Sequence, residues 1–361
     1  MAGKNSMNRF KPRVSVLIDT YNHERFIERA ITSVLDQDMP MDAVEILVVD
    51  DGSTDRTPEI VRRFEPRVRF VRKPNGGQAS AFNLGFSQVQ GEILATLDGD
   101  DRWAKAKLRR VLETLEANPD VGFVGHGFYE EYSDGRPNGL ILPGRPHRLD
   151  LSSRENAELF RHLAAFFGTS RMTIRKPILD RILPIPEELT IEADEYIFTL
   201  APAVGPAMIL NEPLCYYGMH SGNLFQLGKF EPSKARRKMN VLDVLLRELP
   251  PKLREFGATE EIVAAIFQGT RVEAGRIRLS LDGGSPMEAF SVERAAFQSY
   301  YHKVTWRYQL FRMFVLLQTL LLPPRVFYRL RRWYAEKRLS RFRSWTGEPT
   351  PAVQVIERRP G

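Results

Sequence analysis

Over residues 13–117 short apolar runs alternate with amphipathic stretches, and two of the runs end in clusters of aspartate. Val14 to Ile18, Val44 to Val49, Val68 to Val71 and Glu92 to Leu97 read as strands, mostly apolar and rich in β-branched residues, as strands covered on both faces are. Phe26, Ile27, Ala30, Ile31, Val34 and Leu35 share one helical face, with Asn22 the candidate cap. A second helix is expected from Pro58, a third with Ala79, Phe82, Phe86 and Val89 on one face, and a fourth over 104–117. The alternation predicts an α/β domain with a mostly parallel sheet flanked by helices. Ligands in such sheets bind beyond the carboxyl ends of the strands. Asp50-Asp51 and Asp98-Gly99-Asp100-Asp101 both stand there and can converge on one crevice.

The texture changes after residue 120. Val121 to Tyr132 reads as a long strand, Ser133-Asp134-Gly135 as a turn and 138–150 as a loop with two prolines. A helix is expected over 191–201 and a strand over 208–217. From Pro232 the chain reads as helical, with breaks near Pro250-Pro251, Gly283-Gly284 and Pro323-Pro324. A length of 361 residues fits two domains, or one with an appendage. The divisions expected are a tail to residue 11, an α/β domain over 12–228, a helical C-terminal region over 229–345 and a Pro-rich, polar, disordered tail over 346–361.

Charge and cysteine narrow the class. Cys215 is the single cysteine, so no internal disulfide forms, which fits a reducing compartment. Residues 1–13 carry basic side chains but no apolar stretch, unlike a signal peptide. The net charge is +7, and 325–343 alone holds eight basic residues against one acid. The basic balance therefore describes one segment, and no nucleic-acid partner is expected.

Asp98-Gly99-Asp100 puts carboxylates on alternate residues after a strand, a pattern that suits a hard divalent cation or, read blandly, a solvated acidic turn. Asp51 can accept hydrogen bonds from a base or ribose; Ser53, Thr54 or Asp55 can equally cap the next helix. Asn75-Gly76-Gly77 precedes a helix N-terminus, where free N–H groups favour anions, and matches neither a dinucleotide fingerprint nor a Walker loop.

Taken in order, Val14 to Asn22, Val44 to Asp55, Asn75 to Gly85, Leu97 to Leu108, Ile191 to Phe198 and Leu210 to Asn223 resemble the inverting family 2 glycosyltransferases of the GT-A fold, over residues 12–225. The resemblance implies a nucleotide-sugar donor bound with Mg²⁺ or Mn²⁺ and an acceptor hydroxyl. It places Thr20, Tyr21, Asn22, Asp50, Asp51, Gly77, Asn83 and Asp98 at the donor, with Tyr21 against the base. Asp98, Asp100 and His220 are its implied metal ligands, Asp100 the most direct. The catalytic base is expected from Glu192-Ala193-Asp194-Glu195. Asp194 is favoured because it shares a helical face with Ile191, Ile197, Phe198 and Ala201, whereas Glu192 and Glu195 can simply favour the helix N-terminus. Three departures stand out: Asp19 where the family usually has proline, Phe82 where many members carry arginine, and the spread Glu192-Ala193-Asp194 in place of an adjacent Glu-Asp pair.

Val326, Phe327, Leu330, Trp333 and Tyr334 recur at helical spacing among arginines, the pattern of an interfacial membrane helix; a solvated basic face is the bland reading. The apolar stretch 311–322 falls short of the roughly 20 residues that span a bilayer. Peripheral membrane contact through 311–343 at the cytoplasmic membrane surface is expected. It suits a saccharide or lipid-linked acceptor in envelope polysaccharide or glycolipid assembly. A sugar-1-phosphate nucleotidyltransferase would open with a Gly-rich loop rather than Asp19-Thr20-Tyr21-Asn22. An inactive nucleotide-sugar-binding or membrane-docked assembly partner is the alternative, favoured only by the spread acidic pair.

Overall fold

Four strands built from the apolar runs lie parallel in the order β3 (Arg69–Arg72), β2 (Val44–Asp50), β1 (Val14–Thr20), β4 (Ile93–Asp98). The computed structural model describes residues 12–132, 134–220, 231–300, 306–336 and 354–355. Val14, Val16, Leu17 and Ile18 of β1 are fully buried, each contributing about 1.5–3 kcal/mol by its removal from water. Crossover helices α1 (Ile27–Leu35), α2 (Thr57–Arg62) and α3 (Gln78–Gln88) connect these strands. α1 buries Ile27, Ala30, Ile31 and Val34, the stripe the spacing predicted. Gly85 lets α3 press on β1, since a Cβ there would stand 2.5 Å from Leu17 Cδ1. The register pairs Thr20 with Asp50 and Asp19 with Asp98, so three strands end at one level, each in acidic or polar residues.

Beyond β4 the pairing alternates in direction. β9 (Thr173–Arg175) inserts antiparallel between β4 and β6 (Phe123–Tyr132). β6 pairs antiparallel with β7 (Pro137–Leu142) and parallel with β10 (Ala207–Met219). β10 also pairs with β5 (Arg102–Trp103) and β8 (His147–Leu149), and β11 (Gln354–Val355) pairs with β7. Helices α4 (Lys107–Ala117), α6 (Lys176–Ile182) and α7 (Ala193–Val204) complete this part, and α5 (Arg154–Leu163) follows β8 in the chain.

Several expectations need correcting. Residues 138–150 are not a loop: β7 and β8 occupy most of it, because β6 and β10 leave backbone groups to pair. Asn22 does not cap α1; it sits at φ 56° and its side chain reaches the neighbouring loop. Pro250-Pro251 does not end a helix. α8 (Pro232–Glu255) runs through both prolines, and Leu245, Leu249 and Leu253 are fully buried on either side, so packing outweighs the lost hydrogen bonds.

The described residues form two units by their internal contacts, one of 12–150, 162–220 and 354–355, the other of 151–161, 231–300 and 306–336. In the second, α9 (Glu260–Leu281), α10 (Pro286–Tyr300), α11 (Trp306–Leu321) and α12 (Pro324–Glu336) follow α8. Thr259 caps α9, accepting from Ile262 N. Leu279, Ala289, Phe327 and Tyr328 make a buried cluster. Glu293, 2% exposed, takes Arg276 from α9, Arg312 from α11 and Arg331 from α12. α11 turns Leu310, Met313, Phe314, Leu317 and Leu321 outward, with Trp306 at its start, and α12 exposes Leu330 and Trp333. Among the described residues no helix is long and apolar enough to cross a membrane. Lys337, Arg338, Arg341 and Arg343, Asn223, and the tails expected before residue 12 and from 346 lie outside the described residues, save the pair in β11.

Candidate active site

Of the two acidic turns at the strand ends, the one after β4 gathers its carboxylates. Asp98, Asp100 and Asp101 each offer a carboxylate oxygen, all within 4.8 Å of one another. β10 ends beside them: His220 Nε2 lies 2.9 Å from Asp100 Oδ2. His23 Nε2 approaches the same oxygen to 3.8 Å. Burial would raise the Asp100 carboxyl, but the His220 hydrogen bond and the charges of His23 and His220 outweigh it and hold it low. Its neighbours go the other way. Asp98 is pushed well up by burial and by Asp19, Asp100, Asp101 and Asp194; Asp101 rises to about 7 and Asp19 to about 8, each through burial and then Asp100. Crowded acids of this kind release that repulsion when a cation enters. Carboxylate oxygens with one imidazole make a donor set for a hard divalent ion.

Asp194, near the start of α7, is half-buried; its Oδ2 accepts from Thr169 N (2.9 Å) and Thr169 Oγ1 (3.2 Å). Glu192, just before α7, has φ 56°, a left-handed conformation uncommon outside glycine, so the helix start is held where an ordinary chain would not leave it. Between the two acidic groups lies Gln78. Its Nε2 is 3.4 Å from Asp98 Oδ1, 3.5 Å from Asp19 Oδ2 and 3.4 Å from Thr169 Oγ1, while its Oε1 accepts from Ala193 N at 3.0 Å. One amide therefore touches β1, β4, the Thr169 turn and the first residue of α7.

The donor-side residues divide. Thr20 is buried, with Oγ1 3.2 Å from His23 Nδ1, and Tyr21 stands 45% exposed beside it. Asn22 Oδ1 accepts from Thr54 N at 2.7 Å, which ties the β1 loop to the β2 loop. Asp50, fully buried, accepts from Ser53 N (2.9 Å) and faces Arg72 Nε at 3.3 Å. The Asp51 carboxylate is spent inside the protein: Oδ1 accepts from Lys73 Nζ (2.7 Å) and Gly76 N (2.9 Å), Oδ2 from Gly77 N (2.7 Å). Gly77 has φ 86°, and a Cβ there would lie 2.5 Å from Thr190 Cα, so the loop needs glycine on both counts. Asn83 is also spent on structure, donating to Ile185 O (2.8 Å) and accepting from Ile185 N (2.9 Å). Phe82 is fully buried against Phe86 and belongs to the core.

Sequence reasoning passed over Gln78, Thr169, Ser170 and His23. Ser170 Oγ accepts from Asp98 N at 3.1 Å. Thr169 and Ser170 sit in a short 3₁₀ turn with no motif of their own; the glycine pair ahead of Gln78 was the one available pointer.

Residues 15–182 match the glycosyl transferase family 2 profile. An uncharacterized glycosyltransferase of Nostoc sp. is 33% identical over 226 residues, 58% of this chain and 66% of that protein, so the match spans just under two thirds of the relative. Glycosyltransferase AglE of Haloferax volcanii is 30% identical over 64% of this chain and 75% of its own length. Among solved structures, S. aureus TarS 1–349 in complex with UDP-GlcNAc superposes with a TM-score of 0.54 at 19% identity, covering 80% of this chain and 89% of that one; this is a likeness of fold.

Proposed function

Because the chain belongs to glycosyltransferase family 2, we propose that it is an inverting glycosyltransferase that moves a sugar from a nucleotide-sugar donor to an acceptor hydroxyl. The observation that carries this reading is the convergence of Asp98, Asp100, Asp101 and His220 at the strand ends, one amide away from the start of the helix bearing Asp194. The fold it shares with a protein that binds UDP-GlcNAc supports a nucleotide-sugar donor.

Asp98, Asp100 and His220 would hold Mg²⁺ or Mn²⁺, which when bound offsets charge developing on the leaving diphosphate. Asp194 acts as general base: Thr169 orients its carboxylate through Oδ2, leaving Oδ1 to take the acceptor's proton. The acceptor oxygen then bonds to C1 as the C1–oxygen bond to the diphosphate breaks. The nucleoside diphosphate leaves with the electron pair, and the anomeric centre inverts. Thr20, Tyr21 and Asn22 line the nucleotide side; Asp50, Asp51, Gly77 and Asn83 shape the loops around it.

The exposed apolar stripe of α11 and the basic α12 support docking at an anionic membrane surface, where each nearby Lys or Arg contributes about 1 kcal/mol. That placement suits a lipid-linked or saccharide acceptor in envelope polysaccharide or glycolipid assembly at the cytoplasmic face. Co-sedimentation with anionic but not neutral vesicles, lost in Phe314→Glu, tests the docking. The enzymatic reading is tested by thermal-shift titration with UDP-, dTDP- and GDP-sugars, with and without Mn²⁺. Metal-dependent stabilisation by one nucleotide class, abolished in Asp100→Ala, is expected. Asp194→Asn should keep donor binding and lower turnover about 10²–10⁴-fold; turnover within about threefold of wild type refutes Asp194 as base.

A further inference from the structure

Asp19 is an acid of the site that neither of the proposed roles uses and that lies outside the acidic cluster. It sits in the centre of the sheet, in register with Asp98 on the adjacent strand, and its carbonyl accepts from Gly99 N at 2.9 Å. Residues in register on adjacent strands project to the same face, so the two carboxylates stand side by side at the site. Oδ2 lies near the Gln78 amide, but Oδ1 is buried without a hydrogen-bond partner among the described residues. A buried polar atom left without a partner costs about 1–3 kcal/mol, and one that persists beside a site calls for an explanation.

Three placements narrow it. The carboxylates that converge closely enough for a cation are Asp98, Asp100 and Asp101, and Asp19 is not in that group among the described residues. Asp19 Oδ2 shares the Gln78 amide with Asp98 Oδ1 on the cation side and with Thr169 Oγ1, which also bonds Asp194 Oδ2 on the base side, so Asp19 stands next to both. In an inverting displacement the leaving diphosphate and the incoming hydroxyl occupy opposite faces of C1. The group held between them is the transferred sugar, whose outer surface carries hydroxyl donors.

We propose that Asp19 is a donor-specificity residue, its Oδ1 accepting a hydrogen bond from a hydroxyl of the transferred sugar, with Gln78 holding the carboxylate in place. This inference rests on the nucleotide-sugar reading of the site. A site built around such a bond rejects the analogue that lacks the hydroxyl far more strongly than a merely snug pocket does, because its own polar atom is then stranded.

The experiment is a coupling cycle. Binding of UDP, UDP-glucose and single-deoxy UDP-glucose analogues is measured by calorimetry with Mn²⁺ for wild type, Asp19→Asn and Asp19→Ala, with dTDP or GDP series substituted if that nucleotide gives the larger thermal shift. In wild type, removing one particular hydroxyl should weaken binding by at least about tenfold. In Asp19→Ala that penalty should shrink to within about threefold, while affinity for the nucleoside diphosphate stays within about threefold of wild type. Asp19→Asn, which keeps an oxygen acceptor and the side-chain shape, should keep part of the discrimination. Equal loss of nucleoside diphosphate and nucleotide sugar in Asp19→Ala, with an altered Mn²⁺ requirement, assigns Asp19 to the cation and overturns the proposal. An unchanged deoxy penalty in the variants overturns it too. Wild-type protein that binds no nucleotide at all overturns the donor reading and this inference with it, a result distinct from either of the others.

Discussion

Asp51 offers a sharp test of what an acid at a strand end is for. Its two oxygens take three donors, Lys73 Nζ, Gly76 N and Gly77 N, at 2.7–2.9 Å. Asp51→Asn exchanges one oxygen for an NH₂ group, so the Gly77 N–H meets another donor. One bond to a carboxylate, worth about 1.5–3 kcal/mol, is lost, and the other two fall toward neutral strength, about 1 kcal/mol each. Water reaching the half-buried Gly76 and Gly77 returns part of this, leaving about 2–3 kcal/mol of lost local stability. At tenfold per 1.4 kcal/mol, amide exchange in peptides covering 75–83 should speed up by about 30- to 150-fold without nucleotide present. Hydrogen-exchange mass spectrometry of the two proteins measures it. Exchange within about threefold of wild type, together with lost nucleotide binding, would refute the argument and return Asp51 to a direct contact with the base.

Other perturbations probe the rest of the molecule. Lys107 is fully buried, 3.1 Å from Thr173 Oγ1 and over the Trp103 ring, and burial lowers it to about 7. Between that value and the unfolded one near 10.5, the unfolded chain holds a proton the folded chain lacks, so wild-type stability should rise with pH across that window by up to about 1.4 kcal/mol per unit. Lys107→Met should remove the rise and be the more stable protein near pH 7; denaturant titrations from pH 7 to 10 decide, and a variant less stable at pH 7 contradicts the reasoning. For Glu293, burial opposes ionisation but Arg276, Arg331 and Arg312 outweigh it and hold the carboxyl low. Its stabilisation is therefore present above the unfolded value near 4.5 and is lost as pH falls through the lower folded one. Glu293→Gln should melt earlier than wild type at pH 7, with the difference shrinking below pH 4.5; a pH-independent difference in melting temperature counts against this. Gly77→Ala places a methyl against Thr190 Cα and should weaken nucleotide binding by at least about tenfold in a protein whose sheet still folds, read by calorimetry beside circular dichroism.

What the chain discloses in advance follows the reach of each signal. β1, β2 and β4 announce themselves because three or more consecutive apolar residues are needed where both sheet faces are covered, and the aspartates that follow stand out against them. β9 is three residues long, too short for any periodicity, yet it seals β4 to β6. Thr169 and Gln78 meet Asp194 and Asp98 only through folding, so no spacing marks them. Lys107 reads as a surface residue at a helix start, and only the closure of Trp103 and Thr173 around it makes it interior. Asn22 looked like a cap by composition; its left-handed backbone turns the side chain to the β2 loop instead. In sequence Asp51 points toward a ligand, because its three internal donors lie on a segment more than twenty residues onward.

The insertion of β9 has a bearing on how the chain is made. β4 ends at Asp98, and the strand that covers its outer edge begins at Thr173, so a nascent chain carries an open, apolar strand edge for as long as the ribosome needs to deliver the intervening helices and hairpin. Unpaired edges of that kind recruit other chains, and pairings of long sequence separation form late. Thr169 and Ser170 arrive with the same segment and brace Asp194 and Asp98, so the stretch that closes this edge also carries two of the groups that hold the acidic centre.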